Sequence, residues 1–90
     1  MDAIYLILKS VEQNYKMLYD NAPISFAVSE AGANEILRDS LPLLERVYPD
    51  LKVLGQDTNW LHITYTDLES GEHTRAIYTV RKVYNATLAL

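Results

Sequence analysis

The dipeptide Ser70-Gly71 lies between two runs with strand character, and a two-residue loop there fixes how the last third of the chain pairs. With that loop Glu69 faces Glu72, while Leu61, Ile63 and Tyr65 fall opposite Val80, Tyr78 and Ala76. This face is apolar. Successive side chains of a strand point to opposite sides, so the other face gathers Trp60 across from Arg81, His62 across from Thr79, Thr64 across from Ile77, and Thr66 across from Arg75. That second face is the expected working surface.

Ninety residues support one hydrophobic core, so residues 1–90 are read as a single domain. An apolar fraction of 49 % with 22 % charged residues excludes the composition of a disordered chain. The net charge of −4 is spread along the sequence, which argues against binding a nucleic-acid backbone or an anionic membrane unaided. Cysteine is absent, so disulfide and thiolate chemistry are excluded, and a cytoplasmic location is expected. The apolar run Ile4–Leu8 follows Asp2 rather than a basic stretch, and it is too short to span a bilayer.

Residues 3–19 read as an amphipathic helix, because Ile4, Leu8, Val11, Tyr15 and Leu18 follow a 3.6-residue period. Asp2 would cap it and Glu12 would pair with Lys16 one turn on. Asn21 and Pro23 end it, and Ile24, Phe26 and Val28 then alternate as one buried strand face. A second helix starts at Ser29 or Asn34 and carries Leu37, Leu41, Leu44 and Tyr48 on one stripe. Pro42 predicts a kink there, or a break with Asp39 or Ser40 capping a new helix. Leu51–Leu54 is a short strand candidate, followed by strands at Trp60–Thr66 and about Thr74–Tyr84.

These elements make an α+β fold of order α-β-α-β-β-β: a mostly antiparallel sheet of three or four strands with two helices packed on one face. The segment Ile24–Leu54 is a crossover that sets its two strands parallel. Ile24, Phe26, Val28, Leu61, Ile63, Tyr65, Tyr78 and Val80 form the covered sheet face, and Tyr15 and Tyr48 join the core from the helices. The other sheet face stays open.

On that open face Trp60, His62, Thr64, Arg75, Ile77, Thr79 and Arg81 are the partner-binding candidates, since Trp and Arg dominate interface hot spots. Trp60 and Arg81 are expected to stack as a cross-strand cation-π pair. The apolar tail, with Leu88 and Leu90, suits self-association into a homodimer. No catalytic chemistry is written in the sequence. His62 and His73 stand too far apart along the ladder to share a metal ion, the acids at the hairpin tip serve solubility, and three glycines form no phosphate loop. No serine has an activating base evidently near it.

The expected function is therefore non-catalytic binding of another protein, as an inhibitor, adaptor or regulator, with no cofactor, metal or membrane involved. The alternatives are a homodimeric structural protein that uses the sheet face or tail, and a weak single-stranded nucleic-acid binder, for which one Trp and no basic stripe speak little. Small, acidic, cysteine-free chains are frequent among phage and mobile-element proteins that block a host enzyme, and among small regulators and immunity proteins.

Overall fold

The computed structural model describes residues 3–84, which form one helix and a five-stranded, wholly antiparallel sheet. The elements are β1 (Ala3–Gln13), β2 (Lys16–Ala27), α1 (Glu30–Val47), β3 (Lys52–Asp57), β4 (Trp60–Thr66) and β5 (His73–Tyr84). The spatial order is β2-β1-β5-β4-β3. The fold is mostly β, not an α+β arrangement with two helices.

The correction is largest in residues 3–27, where a helix and a strand were expected and a long hairpin stands. β1 is an inner strand between β2 and β5, and its run Ile4–Leu8 places apolar side chains on both sides of the sheet. Ile7 and Leu8 point to opposite sides of the sheet and are 1 % and 3 % exposed. The chain reverses at Asn14-Tyr15, both at positive φ (51° and 66°), between the paired residues Gln13 and Lys16. This is the backbone of a type I′ turn, whose usual second residue is glycine. Tyr15 and Leu18 are thus exposed rather than in the core.

β2 is an edge strand interrupted by register shifts. At one of them Ser10 Oγ accepts from the Asn21 backbone N–H (2.9 Å) and donates to Asp20 Oδ1 (2.8 Å). Asn21 at φ 50° absorbs this irregularity instead of ending a helix. Ile24, Phe26 and Val28 lie in or just beyond this edge strand and are exposed, not core.

Ser29 caps α1, its hydroxyl accepting from the Gly32 N–H at 3.0 Å. The helix runs unbroken past Pro42. Leu37 is buried, and Leu41, Leu44 and Tyr48 pack with it on the sheet. β2 and β3, the strands flanking α1, point the same way as a crossover requires, but they occupy opposite edges with three strands between them. α1 therefore straps one face of the sheet from edge to edge.

The β4–β5 ladder is displaced by two residues from the expected register: Leu61 faces Tyr78, Ile63 faces Ala76 and Trp60 faces Thr79. The cause is Asp67, whose carboxylate accepts from the N–H groups of Glu69 (3.2 Å) and Ser70 (2.9 Å) and from the Ser70 hydroxyl. Asp67 and Glu72 close a four-residue loop, with Gly71 at φ 70° as its last residue. A shift of two leaves every side chain on its expected face, because the pleat repeats every second residue.

The core beneath α1 joins Val11, Leu61, Ile63, Tyr65, Ala76 and Tyr78 to Leu37. Tyr48 stacks on Tyr65 with ring centroids 4.0 Å apart. Burial, then the neighbouring Tyr48, pushes the Tyr65 hydroxyl up to about 12, and burial raises that of Tyr78 as well. No helix among the described residues is long and apolar enough to cross a membrane. Leu88 and Leu90, expected in self-association, and Asp2, the expected cap, lie outside the described residues.

Candidate binding face

All seven expected residues point away from α1: Trp60, His62 and Thr64 from β4, and Arg75, Ile77, Thr79 and Arg81 from β5. Their neighbours differ from expectation. His62 stands beside Ile77 and Thr64 beside Arg75, while Arg81 lies beside Leu6 of β1, two rungs from the place opposite Trp60. The expected Trp60–Arg81 stack is therefore absent. Trp60 meets His62 edge-on at 5.9 Å and lies across Gly55 of β3, where an added Cβ would come within 2.5 Å of the indole. This packing leaves the Trp 37 % exposed.

β1 supplies the part of the face that reading it as a helix concealed. Ile4, Leu6, Leu8, Ser10 and Glu12 stand beside Val83, Arg81, Thr79, Ile77 and Arg75. The expected Glu12–Lys16 pair is replaced by a cross-strand one, Arg75 Nη2 donating to Glu12 Oε1 at 2.8 Å. By register Lys52, Arg75 and Arg81 lie on this face with Glu12 and, at its rim, Asp57. Asp20 reaches the same face through the Ser10 hydroxyl and Asp50 through that of Thr66, so its charges are mixed. Burial, then the Arg75 charge, lowers the His62 pKa, so the ring is neutral near pH 7. Its Nε2 is buried and makes no hydrogen bond.

A recess of about 410 Å³ opens at one end of the face, lined by Glu12, Asn14, Tyr15, Leu54, Thr64, His73 and Arg75. A smaller one of about 30 Å³ adjoins it, between Ser10, Met17 and Ile77. Of the lining residues only Thr64 and Arg75 were singled out from the sequence. Asn14 was the available signal for the rest, as a residue that tolerates the left-handed conformation a tight turn demands. On the helix side a cavity of about 360 Å³ lies between Asn34 and Arg38 of α1 and the β3–β4 turn; holding both Arg38 and Asp57, it marks no single ligand charge.

No cluster of three or more His, Cys, Asp or Glu among the described residues is placed to hold a metal ion. His62 and His73 are four positions apart along the ladder, beside Ile77 and Thr66. Compared with known proteins, the chain matches no family model, no curated protein and no solved structure.

Proposed function

We propose that this chain is a cytoplasmic, non-catalytic protein-binding module that docks another protein on the sheet face opposite α1. The observation that carries the reading is the composition of that uncovered face: Leu6, Ile77 and the partly exposed Trp60 lie among Arg75 and Arg81, the mixture that interface centres favour. Absence of cysteine suits a reducing compartment. The test compares capture from extract of the native cell by the parent and by a Trp60→Ala/Arg81→Ala variant with the same circular dichroism. A partner held only by the parent supports the reading, and identical capture by both ends it.

A second reading, homodimer formation, is favoured by β2, an edge strand that exposes Met17, Leu18, Tyr19, Ile24 and Phe26. Sedimentation would then give a dimer for the parent and a monomer for Leu18→Lys, whereas a 10.3 kDa species for both rejects it.

A further inference from the structure

We infer that the recess beside the β1–β2 turn is a binding subsite for a carboxylate carried next to an apolar group, with Tyr15 as its aromatic wall. Tyr15 occupies the second position of its turn at φ 66°, a conformation that costs a bulky residue stability and that glycine adopts freely. The residue is 94 % exposed, so packing within the chain offsets little of that cost. Neither backbone preference nor burial accounts for an aromatic here, whereas contact with a bound group does; strained residues of this kind gather at ligand sites.

The rest of the recess defines the ligand. Leu54, at the break in the β3–β4 register between Val53 and Gly55, provides an aliphatic wall to set against the Tyr15 ring. Between them the polar groups are mainly donors. The bond to Glu12 is the only one Arg75 makes among the described residues, which leaves most of its N–H groups unused. The Asn14 amide, the Thr64 hydroxyl and the His73 ring add further donor capacity, while the sole carboxylate, Glu12, is held by Arg75. A free guanidinium edge beside apolar walls suits a carboxylate on an apolar body, and the volume lies within the range of small-ligand pockets. This subsite does not depend on the docking reading, since a small molecule can fill it alone.

The test is a titration of the isotope-labelled protein followed by amide shifts, with N-acetyl-phenylalanine, its amide, and N-acetyl-aspartyl-phenylalaninamide as probes. The inference expects saturable shifts at Asn14, Thr64 and Arg75 with the first or third probe and none with the uncharged amide. Preference between the first and third tells whether a chain terminus or an acidic side chain is the better source of the carboxylate. Arg75→Gln should weaken binding about tenfold or more, the loss expected when a hydrogen bond to a charged group is removed. Tyr15→Gly should raise the thermal midpoint while weakening the probe, a divergence that a merely structural tyrosine would not show. Equal binding of acid and amide, or no saturable shift with either acid, overturns the inference. So does a Tyr15→Gly protein that binds as the parent does or melts no higher.

Discussion

The two faces of the sheet are made from the same strands and differ in burial. Under α1, Leu61, Ile63 and Ala76 are fully buried; their neighbours in the pleat, Trp60, His62, Arg75 and Ile77, keep contact with solvent. Buried apolar side chains are concentrated on one side, and partly exposed ones are left on the other. Alternation along β4 and β5 sets this division except at Thr64, which points away from α1 yet is only 8 % exposed.

The largest expected effect tests that contrast directly. Leu61→Ala should destabilise the fold by about 2–5 kcal/mol, as buried Leu truncations do, whereas Ile77→Ala on the partly exposed side should cost about 1 kcal/mol. Urea midpoints measure both, and equal losses would mean that the second face is also core. Gly55→Ala comes next: the new methyl group would displace the indole it touches, at a cost of about 1–3 kcal/mol. Trp fluorescence should shift to the red, and an unchanged spectrum would place the indole elsewhere. Gly71→Ala should cost about 1 kcal/mol from its positive φ alone, because the added Cβ meets open space.

The smallest effect separates the faces by pH. Beneath α1 the Tyr65 pKa is raised to about 12, so its contribution is complete below the ordinary 10 and is lost as the pH rises from there toward 12. On the open face the His62 pKa is lowered, so its contribution is complete above the ordinary 6.5 and is lost as the pH falls below it. Tyr65→Phe should flatten the alkaline limb of the stability profile and His62→Gln the acid limb between 6.5 and the carboxylate range. An acid limb unchanged by His62→Gln removes the histidine from the account.

The readable parts of the fold were those governed by local chemistry. Strand alternation over Trp60–Thr66, a cap at Ser29 or Asn34, of which the structure uses Ser29, and the Leu37, Leu41, Leu44, Tyr48 stripe each carry their own signal. Residues 3–19 did not, because the apolar run Ile4–Leu8 carries apolar side chains on both sides of its strand and so shows no alternation, and its apolar residues happen to match a helical period as well. The Asn14-Tyr15 turn lacks the glycine that marks such turns, and its Tyr was therefore placed in a core. The loop after β4 departs from the two-residue turn that Ser70-Gly71 implies, because the reach of the Asp67 carboxylate to two backbone N–H groups outweighs that dipeptide. The β4 and β5 parts of the candidate face survived that departure through the two-residue repeat of the pleat; the β1 part was hidden with its strand.

The ladder between β1 and β5 joins Ala3–Gln13 to Thr74–Tyr84 and connects the first hairpin to the β3–β5 meander. Each of those units can zip up from its own short turn, but their union must wait until distant stretches of polypeptide meet, a slow kind of closure. The recess draws Tyr15 and Glu12 from one unit and Thr64, His73 and Arg75 from the other. The recess is therefore assembled only when that long-range ladder pairs, so its walls depend on the union of the two units.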